Sequence, residues 1–252
     1  MILMTALITG ASSGIGREFA RVLSKMGYDI IVVARRADRL EELKNELNGN
    51  VTVITCDLSV KENCIKLYDK VADMDIDIVI NNAGFGVYGD FVSSDLDKEL
   101  AMIDTNVCAL HILTKLFVKK FAEKNKGRIL NVASSAGFMM GPFLSSYYAS
   151  KAYVLRLSQA IDRELKQMGS SVRVQTLCPG PVETEFDKTA DVKNSMSGLS
   201  GRYVAEYAVK KMLKGKSVII PGFGIKLSVF FSKLVPDRLL SLINYNIQKK
   251  KS

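Results

Sequence analysis

Metal-ligand clusters, paired cysteines and long apolar runs are what the sequence lacks. The only histidine, His111, has no second histidine and no clustered cysteines to complete a coordination sphere, so packing is its expected role and no metal is expected. Four cysteines, Cys56, Cys64, Cys108 and Cys178, include no Cys-x-x-Cys pair and sit mostly in apolar segments, as buried reduced thiols do. No uninterrupted apolar run approaches the ~18 to 20 residues of a membrane-spanning helix. The first residues run straight into a glycine motif, with no basic stretch and no small-residue cleavage site, which points to a cytoplasmic protein rather than a secreted one.

The formal charge of +9 is mostly scattered. Only Lys249, Lys250 and Lys251 form a run, and no RNA-binding or zinc-finger pattern accompanies them, so nucleic acid is not an expected partner. An anionic ligand, such as a phosphorylated cofactor, fits the excess of positive charge. Hydrophobic residues at 48% and charged residues at 24% describe a folded globular chain. No linker-like composition divides it, so residues 1–252 are expected to form one domain.

Apolar patterning alternates strand and helix throughout. Residues 4–9 read as a buried strand, followed by a glycine-rich turn and a helix whose Phe19, Ala20, Leu23 and Met26 recur at helical spacing before Gly27 closes it. Further strands are expected at 30–34, 51–55, 76–80, 128–132, 172–177 and 217–220. Helices are expected at 37–47, with Asp38 and Glu41 in capping-box spacing, and at 61–72, 95–103, 107–123, 147–168 and 204–213. Strands that are continuously apolar rather than alternating are buried on both sides, which implies a parallel sheet with helices on both faces: an α/β, doubly wound architecture of about seven strands.

Between the first strand and helix lies Gly10-Ala11-Ser12-Ser13-Gly14-Ile15-Gly16. Glycines there permit a tight turn, let a pyrophosphate approach the backbone and allow close helix-to-strand packing, while the helix N-terminus attracts negative charge. About 20 residues further on, a site for the unphosphorylated dinucleotide would offer a carboxylate to the ribose. Here that place reads Arg35-Arg36, two guanidiniums suited to a 2′-phosphate, with Asp38 expected to cap the next helix, so NADP(H) is preferred over NAD(H). Tyr147 and Lys151 stand four residues apart in a helical pattern, hence on one face, where the ammonium favours the ionised phenol and lets the pair exchange a proton with an oxygen.

With these features the chain resembles a short-chain dehydrogenase/reductase of the smaller, single-domain kind. The resemblance also rests on Asp57-Leu58, Asn81-Asn82-Ala83-Gly84, Asn106 in Thr-Asn-Val, Ser134 in Asn-Val-Ala-Ser-Ser-Ala-Gly, and Pro179-Gly180 with Thr184. It implies a Rossmann-like fold and an oxidoreductase interconverting a carbonyl and an alcohol. Asp57 and Leu58 would flank the adenine, Asn82, Ala83 and Gly84 would line the cofactor, and Pro179, Gly180, Val182 and Thr184 would close over the nicotinamide. Tyr147 would be the general acid in reduction, Lys151 would lower its pKa and hold the ribose, Ser134 would bind the substrate carbonyl, and Asn106 would order a water in a proton relay. Of the adjacent tyrosines Tyr147 is taken because it lies i−4 from Lys151. Of the adjacent serines Ser134 is taken for its spacing to Gly137. A homodimer or homotetramer is implied by the same resemblance.

Bulky apolar residues, Phe85, Phe138, Met139, Met140, Phe143, Leu144 and Phe186, are candidate pocket walls and favour a hydrophobic substrate over a sugar. Residues 185–202 are a candidate lid, or else a tolerated surface insertion. The apolar extension 222–252 departs from relatives that stop sooner, which weakens a reading as an acyl-carrier-protein reductase. It has three candidate roles: covering the substrate pocket, an oligomer interface, or peripheral contact with an anionic membrane, placed last because the basic residues are few and terminal. The competing functional reading is a non-catalytic NADP(H)-responsive regulatory protein, against which the intact Asn106, Ser134, Tyr147 and Lys151 set argues.

Overall fold

In the computed structural model, which describes residues 4–190 and 197–250, seven parallel strands form one sheet. In chain order these are β1 (Thr5–Thr9), β2 (Asp29–Ala34), β3 (Val51–Thr55), β4 (Ile76–Asn81), β5 (Arg128–Val132), β6 (Arg173–Leu177) and, after the small pair β7 (Val182–Glu183) and β8 (Leu199–Ser200), β9 (Val218–Ile219). Their spatial order is β3-β2-β1-β4-β5-β6-β9. The winding reverses between β1 and β4, and the carboxyl ends of strands at such a reversal open into a crevice.

The strands are buried on both sides because each face carries helices. On one face Ala6, Ile8 and Val32 pack with Phe19 and Leu23 of α1 (Gly14–Lys25), Leu40 of α2 (Ala37–Glu46) and Met212 of α8 (Gly201–Leu213). On the other, Leu7, Ile31 and Val79 meet Leu67 of α3 (Lys61–Lys70), Phe117 of α5 (Leu110–Lys124) and Leu165 of α6 (Ser145–Gln167). Full burial of each such Val, Leu, Ile, Phe or Met side chain is worth about 1.5–3 kcal/mol.

Three local expectations are corrected. The capping box is absent: α2 starts at Ala37 with Arg36 in the cap position, and Asp38 lies inside the first turn, where its charge meets the helix N-terminus. The two helices expected at 95–103 and 107–123 are continuous. α4 (Leu96–Ile103) passes through a π-helical turn, Asp104–Ala109, into α5. By length and mean hydropathy this 29-residue helix meets the requirements of a membrane span, but Leu113, Phe117 and Phe121 are buried in the core beside the sheet. The helix carrying the tyrosine begins at Ser145, two residues early.

The candidate lid is partly regular. It starts with a short helix, α7 (Phe186–Thr189), and returns through β8, which pairs in parallel with β7; residues 191–196 of the expected lid lie outside the described residues. Beyond β9 the extension folds as two helices, α9 (Phe223–Ser232) and α10 (Asp237–Lys249).

Candidate active site

The glycine turn is built from contacts a side chain would prevent. Gly10 has φ 67°, and a Cβ there would lie 2.8 Å from Ala83 Cα. On Gly16 a Cβ would fall on the Gly10 carbonyl oxygen and the Asn82 amide. That amide donates to the carbonyls of Thr9 (3.0 Å) and Gly10 (3.3 Å), while Thr9 Oγ1 accepts from the backbone N–H groups of Asn82 and Ala83, both at 3.0 Å. The loop after β4 therefore clamps the loop after β1. Ser13, in the cap position of α1, makes no side-chain cap, so the first N–H groups of that helix keep their capacity to bind an anion.

Arg36 lies over this turn. Its guanidinium donates to Ser12 Oγ (Nη2, 3.1 Å) and Ser13 Oγ (2.6 Å), and through Nη1 to Glu185 (3.0 Å). Arg35 is exposed. The second guanidinium at this place is Arg39, which pairs with the other oxygen of Glu185 at 2.6 Å. Hydrogen bonds from Arg39 and Arg36 hold the Glu185 carboxyl below its ordinary pKa. Sequence reading missed Arg39, although its i+3 relation to Arg36 at the start of α2 was the available signal. Asp57, after β3, accepts from Ser59 N–H (3.0 Å) and Ser59 Oγ (2.8 Å), and Leu58 is buried behind it.

Deeper in the crevice, α6 places Tyr147 in its first turn and Lys151 one turn on. The Lys151 nitrogen lies 5.7 Å from the centre of the Tyr147 ring and donates to the Val132 carbonyl at 3.0 Å. Burial lowers the Lys151 pKa to about 8 and pushes the neighbouring Cys178 thiol up to about 12, so no thiolate forms beside it at neutral pH. Ser134, at the end of β5, accepts from Ala136 N–H (3.1 Å) and donates to the Pro179 carbonyl (3.4 Å), which also takes the Ser135 N–H at 2.8 Å. This ties the loop after β5 to Pro179 and Gly180.

Asn106 is fully buried in the π-helical turn. Its amide donates to the Phe85 carbonyl (2.9 Å) and Ser150 Oγ (3.2 Å), and its oxygen accepts from Phe85 N–H (3.1 Å). Ser150 in turn donates to the Tyr147 carbonyl at 2.7 Å, so one chain of hydrogen bonds joins the loop after β4 to the tyrosine's own turn. Gly84 makes room for it. A Cβ there would come 2.6 Å from Asn106 Oδ1 and 3.4 Å from Lys151 Nζ.

The two tyrosines separate cleanly. Burial raises the Tyr148 phenol above its ordinary pKa, and its oxygen accepts from Gln248 Nε2 at 2.6 Å. Tyr148 thus seats α10, while Tyr147 faces Lys151 and Phe186 of α7, whose ring lies 5.2 Å from its own. α10 is fastened over the same side of the site: Tyr88 donates to the Gln248 carbonyl (2.8 Å), Asn244 donates to the Met140 carbonyl (2.8 Å), and Tyr245 lies 5.2 Å from Phe143. Tyr88, Asn244, Tyr245 and Gln248 escaped the sequence reading, because only the tertiary fold brings residues near 245 beside residues near 88 and 145.

Thr184 packs against the turn, its side chain 3.3 Å from where a Cβ of Gly14 would stand, and Val182 pairs with Leu199. Gly180 packs against Ile225 of α9. The glycine turn, the loop after β4, Ser134 and the segment from Pro179 to Thr184 are thus held against one another at the carboxyl ends of the strands.

The short chain dehydrogenase family model matches residues 4–195. A 3-oxoacyl-(acyl-carrier-protein) reductase from Rickettsia prowazekii is 35% identical over 187 residues, covering 72% of this chain and 74% of its own. A very-long-chain 3-oxoacyl-CoA reductase from Mus musculus is 30% identical over 257 residues, covering 93% of this chain and 81% of its own. The solved structure of a short-chain dehydrogenase from Sphingobium yanoikuyae in complex with NADPH matches with a TM-score of 0.83 at 30% identity, over 92% of this chain and 94% of that one. The chain belongs to the short-chain dehydrogenase/reductase family and is an oxidoreductase acting on CH–OH and C=O groups.

Proposed function

We propose that this protein reduces the ketone of a long-chain, hydrophobic 3-oxoacyl thioester, or oxidises the corresponding alcohol, using NADP(H) in preference to NAD(H). The observation that carries the reaction is the buried Lys151 ammonium 5.7 Å from the Tyr147 ring centre. The substrate class is supported by the names of the two relatives and by the apolar and aromatic walls Tyr88, Phe143 and Phe186. The match to the acyl-CoA reductase extends over 93% of the chain, whereas that to the acyl-carrier-protein reductase covers 72%, which favours the former kind of substrate.

The residues present fit a phosphorylated dinucleotide. Gly10 and the turn from Ser12 through Gly16, including Ile15, would hold the pyrophosphate at the uncapped start of α1. Arg36 and Arg39, with the hydroxyls of Ser12 and Ser13, would take the 2′-phosphate, displacing the Glu185 carboxylate. Asp57 and Leu58 would border the adenine; Asn82 to Gly84 and the segment from Pro179 and Gly180 through Val182 to Thr184 would border the nicotinamide. When bound, the nicotinamide supplies the hydride.

The chain's own groups handle position and the proton. Ser134 orients the carbonyl oxygen, and Tyr147 gives it a proton as charge develops there. Lys151 favours the phenolate left behind and holds the ribose. The Asn106 side chain is committed to Phe85 and Ser150, so its part in a proton relay falls to the main chain of the π-helical turn. Exposed Phe91, Val92 and Leu96 form an apolar surface that supports self-association as a homodimer or homotetramer. A non-catalytic NADP(H)-responsive role would leave the four-residue set without a purpose.

The test is nicotinamide oxidation with 3-oxoacyl-CoA substrates of increasing chain length, with NADPH and NADH in parallel. Tyr147→Phe should lose about 10²–10⁴-fold in kcat and keep its affinity for NADPH. Tyr148→Phe should remain active. Full activity in Tyr147→Phe, or tight NADPH binding without turnover of any substrate in the wild type, would reject the proposal.

A further inference from the structure

We propose that α9 and α10 form a peripheral docking surface for an anionic lipid bilayer. α10 is an inverted amphipathic helix. Its inward face at i, i+4 and i+8 is Leu240, Asn244 and Gln248, and both amides are buried against the substrate side of the enzyme. Its apolar residues Leu239, Leu242 and Ile243 face outward, Leu242 at 57% exposure. Burying polar groups while exposing leucines is the reverse of what a water-facing helix does.

α9 continues the same surface. Phe223, Leu227 and Phe230 recur at i, i+4 and i+7, a single helical stripe, Leu234 follows exposed in the turn after it, and Phe223 is 79% exposed. Altogether ten large apolar side chains between Phe223 and Ile247 are 40% or more exposed. So dense a patch marks an interaction surface rather than scattered apolar residues.

Charge selects the occupant. From residue 222 to 252 the chain carries six basic residues, Lys226, Lys233, Arg238 and Lys249 to Lys251, against one acid, Asp237. A second copy seated on this face by two-fold symmetry would bring the two positive rims together. An anionic bilayer accepts both the apolar stripe and the lysines, whose stems lie along apolar surface with their charge at the headgroups. Lys226 already hydrogen-bonds the Tyr207 hydroxyl at 2.9 Å and Lys233 lies 5.6 Å from the centre of the Phe138 ring, so two of these cations are placed by the fold rather than by a loose tail. Because the inward face of α10 touches Tyr88, Met140 and Tyr148, docking would set the substrate side of the enzyme beside the lipid. The docking itself does not depend on the reaction proposed above.

The experiment is co-sedimentation of the full chain with phosphatidylcholine vesicles and with phosphatidylcholine/phosphatidylglycerol vesicles, at low and raised salt. The wild type should bind the anionic vesicles and release from them as salt rises. Phe230→Ser/Leu242→Ser should weaken that binding by at least about tenfold, and Lys226→Gln/Lys233→Gln by roughly tenfold. Unchanged thermal midpoints and NADPH affinities would show that the variants are folded. Absence of sedimentation with anionic vesicles, equal binding to neutral ones, or binding indifferent to both double variants would overturn the proposal. So would light scattering that shows a dimer dissociated by Phe230→Ser/Leu242→Ser with no vesicle binding, since a second copy would then cover the face.

Discussion

Glu185, in the cap position of α7, accepts a hydrogen bond from Arg36 at 3.0 Å, across 149 residues of chain. Its other oxygen takes Arg39 at 2.6 Å. All three side chains are a third or more exposed, so the cluster contributes little to stability. Its consequence is local, because a carboxylate occupies the two guanidiniums that a 2′-phosphate would need. Glu185→Gln should therefore tighten NADPH binding by about three- to tenfold, and Arg36→Ala should loosen it by roughly ten- to a hundredfold. NADH affinity should barely move in either. Fluorescence titration with both cofactors checks this, and equal losses for NADH and NADPH in Arg36→Ala would refute the assignment.

Lys151 shows how burial sets a working pH. Desolvation brings its pKa to about 8, so the ammonium beside Tyr147 is present at neutral pH and is lost as pH rises through about 8. Reductive kcat/KM, which reports the free enzyme, should fall over that window. Lys151→Met should remove the alkaline limb at about 8 and reduce the rate by about 10²–10³-fold. A pH–rate profile for both proteins decides the matter; an identical limb in the variant would assign it to another group.

Gly84 is a packing requirement of the proposed catalytic residues. A methyl group there would meet Asn106 Oδ1 at 2.6 Å and Lys151 Nζ at 3.4 Å, so one or both must shift. Misplacement by about 1 Å is enough to cost about 10²-fold in rate. Gly84→Ala should lose activity on that scale while keeping most of its thermal stability. Wild-type kinetics in this variant would show that the contact relaxes without disturbing the site.

Much of this was legible before any coordinates. Continuous apolar runs such as Ile30–Val33 read as strands buried on both sides, and Ile30–Val33 lies in β2, an interior strand of the sheet. The glycine spacing marked the turn, because close backbone approach leaves glycine as the only residue that fits at Gly16. What escaped was what tertiary contact decides. Asp38 has the spacing of a cap, yet the chain enters the helix two residues earlier than that pattern requires. Asn106 sits where two amphipathic patterns change phase, and the chain absorbs the mismatch as a π-helical turn instead of a break. Gln248 reads as a surface residue on its own helix; only the arrival of Tyr88 and Tyr148 makes it an inward one.

Asp162 gives a prediction about folding that is independent of the site. Near the C-terminal end of α6, it is almost fully buried and accepts from Arg173 Nε (2.8 Å) and Nη2 (3.2 Å), Ser217 Oγ (2.7 Å) and Lys166 (2.8 Å), tying the helix to β6 and to the residue before β9. Burial alone would raise its pKa, but the Arg173, Lys166 and Ser217 hydrogen bonds outweigh that and bring it down to about 2. A carboxyl whose folded pKa is depressed stabilises fully above its unfolded value, near 4, and loses that contribution as pH falls from about 4 to about 2. At neutral pH Asp162→Asn should cost at least roughly 2 kcal/mol, since it also leaves Arg173 without its anion. For a domain of this size that lowers the thermal midpoint by about 4–8 °C. Near pH 3 the gap between variant and wild type should narrow, because the wild-type advantage is then being titrated away. Thermal scans of both proteins at the two pH values test this: a gap that stays constant would mean that Asp162 acts through packing and hydrogen bonding rather than through its charge.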